Sequence, residues 1–290
     1  MRYCKWIFFF LLCFAVASQC ATPTKPKPTD KDIALFFKAC ASGDAQIVRD
    51  ALKTRSADEL CAARELDFSG LDLAASGNHR DCVAIILDSG AQVNARGDAG
   101  KTTLAWAATS GWKECADLLI SKGADPKIAD VNGNTPLHFA ARFKHKECAE
   151  LLVDKGALLN ALNNEGYSPL HLAVMAGDKD TVDMLLNKGA NVNSRDTSGL
   201  TPLHSAACFK EKDLVELLLA KRADVNARAK DGSTPLHKAA WCGSVASANA
   251  LIGNRAKINA FDRDGHTPLA LALSRNDYEM IALLTAHGAK

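Results

Sequence analysis

One stretch of the chain, residues 231–243 (DGSTPLHKAAWCG), gathers side chains that could do chemistry. It places His237 close in sequence to the hydroxyls of Ser233 and Thr234, and a histidine beside a hydroxyl is a common way to activate a nucleophile. Cys242 adds a thiol, whose thiolate form is a nucleophile and a metal ligand. The stretch is a candidate active site unless the same residues recur for a structural reason.

The residues of this stretch do recur, at a fixed period of 33. A Thr/Ser-Pro-Leu-His tetrapeptide stands at 135–138, 168–171, 201–204 and 234–237, with related segments at 69–72, 102–105 and 267–270. Gly-Ala or Arg-Ala pairs and an Asn recur in the same register. Self-similarity at such a period is typical of stacked helical arrays.

The physical chemistry of one unit explains the tetrapeptide without catalysis. Thr can cap a helix with its hydroxyl, and Pro suits the first helical position. Leu137, Ala140 and Ala141 then form one buried stripe, and Gly156 can end the second helix in the left-handed conformation. No unit can bury its apolar face alone, so neighbouring units must stack.

These residues resemble the signature of the ankyrin repeat, from about residue 65 to the end. The resemblance implies an all-α solenoid of about eight helix-turn-helix units with short β-hairpin loops. The first, degenerate unit contains Phe36 to Leu52. The units are expected at 33–65, 66–98, 99–131, 132–164, 165–197, 198–230, 231–263 and 264–290.

The resemblance also implies that the histidine of the tetrapeptide bonds backbone groups within and between units. The residues expected to be structural are Thr135, His138, His171, Thr201, His204, Thr234 and His237. A catalytic or metal-binding role for the histidines is disfavoured, because equivalent positions lie a full unit apart.

Seven cysteines follow Cys20. Cys82, Cys115 and Cys148 share one repeat position and are expected to be small core residues, because helices pack at about 8–10 Å and a disulfide needs Cα atoms at roughly 4.4–6.8 Å. Disulfides or a zinc site among them are the alternatives. Cys208 and Cys242 fall on the open helix face, as reactive thiols or by chance.

No other catalytic signature occurs: the chain has no GxSxG, HExxH or phosphate-loop motif. We therefore expect no enzyme, no cofactor and no metal. Without Arg2 and Lys5 the net charge of +2 falls to zero. The chain after the first twenty residues is therefore neutral, which argues against a basic surface for nucleic acid.

The remaining face of each first helix varies most between units, as expected of a surface adapted to a protein partner. Aromatic residues, Met and Arg are the usual interface anchors. The predicted binding residues on this concave face are Trp106, Trp112, Phe139, Arg142, Phe143, Met175, Phe209, Lys238 and Trp241. Those at the hairpin tips are Asp98, Lys101, Asp130, Asn134, Arg195, Lys230, Ser233 and Arg263. Partial burial of single aromatics against adjacent loops is the alternative.

The N-terminus has the pattern of a secretory signal peptide over residues 1–20, with Arg2 and Lys5 before an apolar run that is too short to span a bilayer. Residues 17–20 (ASQC) resemble a bacterial lipobox, although Ala17 and Gln19 depart from its pattern, and Cys20 is the candidate lipidation site. Residues 21–32 form a Pro/Lys/Thr-rich spacer. No Asn-x-Ser/Thr sequon was found.

Together these features predict an exported, monomeric scaffold that binds one or more proteins and is periplasmic, attached to the cell envelope through Cys20, or secreted. The alternatives are an envelope redox or protective factor that uses Cys208 and Cys242, and an effector delivered into another cell.

Overall fold

The computed structural model describes residues 31–63, 68–97 and 99–290. The predicted signal peptide, the candidate lipidation site Cys20 and Asp98 lie outside this part, as does the spacer up to residue 30. None of the described helices is long and apolar enough to cross a membrane.

The described chain is a series of helix pairs. The first unit contains α1 (Lys31–Ser42) and α2 (Ala45–Thr54), and a short helix α3 (Ala57–Ala62) follows it. The later pairs, inner helix first, are α4 (Gly70–Ser76) with α5 (Arg80–Asp88), α6 (Thr103–Ser110) with α7 (Lys113–Ser121), α8 (Pro136–Arg142) with α9 (Lys146–Asp154), α10 (Pro169–Ala176) with α11 (Lys179–Asn187), α12 (Pro202–Cys208) with α13 (Lys212–Ala220), α14 (Pro235–Cys242) with α15 (Val245–Gly253), and α16 (Pro268–Ser274) with α17 (Tyr278–Ala286).

Each inner helix packs against the inner helices of its neighbours, and each outer helix packs in the same way in a second row. In the fourth, sixth and seventh units the Leu and the two Ala residues that follow the proline are fully buried, as in Leu137, Ala140 and Ala141; in the fifth unit Val174 takes the place of the second Ala and is also buried. One continuous core therefore runs through all units, and the expectation of an all-α solenoid is confirmed. The helix α3 was not predicted; Ser56 caps it by accepting a hydrogen bond from the amide of Glu59.

The inner and outer helices of a unit are joined by a tight turn that needs one residue in the left-handed conformation. Gly177 takes it in the fifth unit, with φ +70°. Lys144 and Lys210 take it in the fourth and sixth units, with φ values of 65° and 64°. A side chain is disfavoured there by roughly 1–2 kcal/mol, so these two turns are less relaxed than the glycine turns.

The loops between units are turns that bond to one another rather than extended hairpins. An isolated antiparallel bridge pairs Arg96 with Thr102, and no β-strand is present elsewhere in the described ranges. Successive loops are joined by single backbone bonds, for example from the amide of Thr197 to the carbonyl of Glu165 at 3.0 Å. The resemblance-based expectation of β-hairpin loops holds for their position but not for regular strand pairing.

The recurrent asparagine explains how the loops stay in register. Asn226 accepts a hydrogen bond from the amide of Lys257 and donates one to the carbonyl of Arg255, both in the next unit. Asn94 and Asn259 make the same pair of bonds to the units that follow them. Each such asparagine satisfies backbone groups that a bare loop would leave unpaired.

Candidate functional site

The histidines that first suggested chemistry are buried parts of the scaffold. Nδ1 of His138 accepts a hydrogen bond from the amide of Thr135 at 3.1 Å, and its Nε2 lies 3.0 Å from the carbonyl oxygen of Tyr167 in the next unit. Because Nδ1 must accept, Nε2 carries the proton and donates it to Tyr167. This confirms the expected bonds within and between units.

The other three histidines repeat this arrangement. Nε2 of His171, His204 and His237 lies 3.3, 3.2 and 3.1 Å from the carbonyl oxygens of Leu200, Ser233 and His266, respectively. Each of these carbonyl groups belongs to the next unit. Burial lowers the pKa of His138, His171 and His204 to about 4, and lowers that of His237 as well. All four are therefore neutral at pH 7 and fully engaged, which leaves them unsuited to bind a metal or a substrate.

In the second unit an aspartate occupies the position of the tetrapeptide histidine. Asp72 replaces the histidine and is 2% exposed; its carboxylate accepts hydrogen bonds from the amide of Ser69 at 2.9 Å and from the hydroxyl of Thr103 at 2.6 Å. Thr103 stands where later units have proline, so the two departures from the repeat pattern compensate each other. The repeat pattern places Asp72 and Thr103 at these positions but does not predict their contact.

The predicted binding face divides into two ends. We call Trp106, Phe139, Leu172, Ser205 and Lys238 the hairpin-side positions, because they lie in the first half of each inner helix, near the loops. We call Arg142, Phe143, Met175, Phe209 and Trp241 the turn-side positions, because they lie at or just after the last turn.

The hairpin-side positions are largely covered by the protein's own side chains. The Trp106 ring lies 4.3 Å from the Phe68 ring, and the Lys101 ammonium lies 3.8 Å from the centre of Trp106 and 4.1 Å from that of Phe139. Phe139 is only 7% exposed. The expectation that Phe139 points away from the core as an interface anchor is therefore corrected, because the adjacent loop covers its ring.

Lys238, at the same end, is tied to its own loop. Its ammonium lies 3.0 Å from a carboxylate oxygen of Asp231. Partial burial raises the pKa of Asp231, but the hydrogen bonds from Ser233 and the pairing with Lys238 outweigh it and lower that pKa to about 2. Lys238 is thus a paired charge at neutral pH.

The turn-side positions are more open. Phe143 and Phe209 are 45% and 48% exposed, Arg142 is exposed, and Met175 and Trp241 are half-buried. The guanidinium of Arg275 lies 5.4 Å from the centre of the Trp241 ring, which leaves a cation–π pair on the same face. Several of the predicted anchors are therefore available to a partner at this end.

Trp112 lies at the turn itself and has a structural contact as well as an exposed ring. Its indole N–H donates to the carbonyl of Ser76 at 2.7 Å, and the side chain is 38% exposed. His79 and His145, which share its repeat position, contact the carbonyls of Ala41 and Thr109 in the same way. Trp112 therefore joins two units and offers only part of its ring.

Cys208 and Cys242 are joined by a disulfide, with their Cα atoms 5.1 Å apart. The hypothesis of two free reactive thiols is corrected, because the end of α12 lies within bonding distance of the end of α14. Cys82, Cys115 and Cys148 are buried free thiols, as expected of core residues. Burial raises the pKa of Cys115 to about 11 and that of Cys148 to about 12.

The predicted tip residues divide in the same way between exposed and engaged groups. Lys230 and Arg263 are exposed, whereas Ser233 is 5% exposed and is corrected as a contact residue, because Asp231 holds its amide and hydroxyl. Arg195 donates to the carbonyls of Gly199 and Arg228, so it fastens two loops together. Asp130 accepts from the amide of Asn134, and both are half-buried.

One group in the described part of the chain has ligand atoms close enough for a metal. Asp262, Asp264 and His266 lie at the last loop, with these atoms within 4.8 Å of one another. One carboxylate oxygen of Asp262 accepts hydrogen bonds from the amides of Asp264 and His266. The other oxygen lies 3.4 Å from Nδ1 of His266. The loop's own bonds account for this cluster.

Comparison with known families agrees with the repeat pattern. A model described as ankyrin repeats (3 copies) matches residues 71–163, 104–196 and 158–229, and one described as ankyrin repeats (many copies) matches residues 218–272. Together the matches run from 71 to 272, more than half of the chain. None of the curated proteins compared matches it.

Proposed function

Because the chain belongs to the ankyrin repeat family, whose members are typically non-catalytic scaffolds for protein–protein interaction, we propose that it binds a protein partner through the turn-side positions and neighbouring tips. The observation that carries this proposal is the exposure of Phe143 and Phe209 at the turn end of a face whose hairpin-side aromatic residues, Trp106 and Phe139, are covered. Large apolar side chains in a row on a soluble surface favour an interface.

A rigid surface suits this function. The buried histidines of the fourth to seventh units hold the inner helices in place through bonds to the next unit, so the turn-side residues keep a nearly constant spacing before a partner arrives. Such preorganisation lowers the entropy lost on binding. The protein acts by presenting a surface, and the proposal needs no turnover, metal or cofactor, and no nucleic acid.

Mutation of two anchors tests the proposal. The double variant Phe209→Ala/Trp241→Ala should keep its far-ultraviolet circular dichroism and lose the partner in a cross-linking pull-down. Tyr278→Ala is the matched control, because Tyr278 is 79% exposed on the outer helix α17 and should not affect capture. Equal yield of the same partner from the double variant and the wild type would exclude the turn-side site.

We also propose that the protein is exported as a monomer and is tethered to the cell envelope through Cys20 or released. The signal-like N-terminus supports export, and the Cys208–Cys242 disulfide favours an oxidising compartment. Mass analysis of the mature N-terminus tests this directly. A diacylglycerol-modified Cys20 would establish the tether, whereas an intact Met1 in the mature protein would exclude export by cleavage.

A further inference from the structure

The disulfide lies between two of the turn-side anchors. Cys208 directly precedes Phe209, and Cys242 directly follows Trp241. The bond therefore fixes the end of the inner helix of the sixth unit to that of the seventh, and with it the spacing of the two aromatic side chains.

The opposite side of this junction lacks an ion pair that earlier junctions have. Lys155, Lys188 and Lys221 each reach back from the end of an outer helix to a carboxylate of the preceding unit, at Asp117, Asp154 and Asp183. Lys122 makes the same kind of contact with Asp88.

In the seventh unit the corresponding residue is Asn254, whose side chain bonds Ala250 in its own helix. The helix α15 (VASANALIG) has no ionisable residue, so no ion pair can join it to α13. The outer helices of the sixth and seventh units are therefore joined without an ion pair, by apolar packing and by the hydrogen bonds of Asn226 to Arg255 and Lys257, while the inner row carries the disulfide.

The exposure of the cysteine side chains to solvent differs between the disulfide and the core thiols. Cys208 and Cys242 are half-buried, whereas the free thiols of Cys82, Cys115 and Cys148 are buried, and burial raises the pKa of all three. Since a dithiol attacks a disulfide sulfur and has no reaction with a reduced thiol, the half-buried Cys208–Cys242 bond is its target among these cysteines.

We propose that the Cys208–Cys242 disulfide is a redox-sensitive clasp that holds the seventh and eighth units against the sixth. A dithiol reductant attacks one sulfur, the S–S bond breaks, two S–H bonds form on the protein, and the reductant leaves as its own disulfide. Once the S–S bond is broken, the junction keeps the bond of His204 to Ser233 but loses its covalent link, so it opens locally more often and the spacing of Phe209 and Trp241 is less tightly fixed. The consequence for partner binding rests on the proposed function; the opening itself does not.

In a stacked array each unit contacts only its neighbours, so a weakened junction should loosen the units beyond it and leave distant ones unchanged. Hydrogen exchange of the full-length protein, followed by mass spectrometry, tests this. With a dithiol reductant, amides of α14 to α17 should exchange at least about tenfold faster, and those of α4 to α9 should be unaffected.

Two variants sharpen the experiment. Cys208→Ser/Cys242→Ser should show the fast pattern with or without reductant, and Cys148→Ser, which removes a buried free thiol, should keep the response. Exchange in α14 to α17 that is the same in both redox states, or that rises equally in every unit, would overturn the proposal.

Affinity for the captured partner, measured in both redox states, then tests the link to binding. We expect weaker binding in the reduced state. Equal affinity despite faster exchange would overturn that link, and a wild-type protein that captures no partner in either state would count against the proposed function while the exchange result still decides the clasp.

Discussion

At the hairpin end of the inner helices, Phe139 is 7% exposed and Trp106 packs against Phe68, whereas at the turn end Phe143 and Phe209 are about half exposed. The residues at both ends are aromatic and lie on the same helix face. What separates them is the loop that covers one end and not the other. Aromatic side chains on a repeat surface are thus divided by burial into scaffold and candidate interface.

Acid should affect the scaffold most. His138, His171 and His204 have a pKa of about 4 in the folded protein, against an ordinary value of 6.5, so the unfolded chain binds more protons between these values. Stability is then fully present above about pH 6.5 and is lost as the pH falls towards 4, by about 3 kcal/mol for each histidine at the limit. Urea unfolding at pH 7.5 and 5.0 measures this. A midpoint that does not fall with pH would contradict the buried bonds.

A matched pair of truncations separates the two ends. Phe139→Ala should cost about 3–5 kcal/mol of unfolding free energy because it leaves a cavity. Phe209→Ala should cost less than about 0.5 kcal/mol because its ring is half exposed. Urea unfolding of both variants at pH 7.5 gives the two values. Similar losses would show that the two ends are not different in kind.

A smaller effect should appear where Asp72 and Thr103 replace the usual histidine and proline. Thr103→Val removes the hydroxyl donor from a buried carboxylate and should cost about 1–3 kcal/mol. In an Asp72→Ala background the same change should cost much less, which gives a coupling energy of about 0.5–3 kcal/mol. Additive losses in this double-mutant cycle would show that the contact at 2.6 Å contributes nothing.

The fold and its buried positions could be predicted from the sequence because the 33-residue period marks the structurally equivalent residues of each unit. The period placed the buried histidines, the Leu and Ala stripe and the core cysteines Cys82, Cys115 and Cys148 in equivalent surroundings, and these predictions are confirmed. Phe139 was misassigned because its hydrophobicity is the same as that of Phe143, and helical spacing places both on the outward side. Whether a loop covers the ring depends on tertiary packing that spacing does not report.

The disulfide escaped prediction for a related reason. Cys208 and Cys242 are 34 residues apart, one more than the period, so comparison of equivalent positions separates them. Cys208 ends α12 and Cys242 ends α14, so the two residues lie at neighbouring helix ends although they are not equivalent in the repeat. Their Cα atoms are 5.1 Å apart. The cysteines that share a repeat position remain free thiols in the core.

The protein partner is proposed to bind the turn-side positions of the inner helices. The most direct measurement is the dissociation constant of the captured partner for the wild type, Phe209→Ala/Trp241→Ala and Tyr278→Ala, all with unchanged circular dichroism. Two anchors at about 2 kcal/mol each predict roughly a thousandfold weaker binding for the double variant and no change for the control. A double variant that binds as tightly as the wild type would contradict the claim.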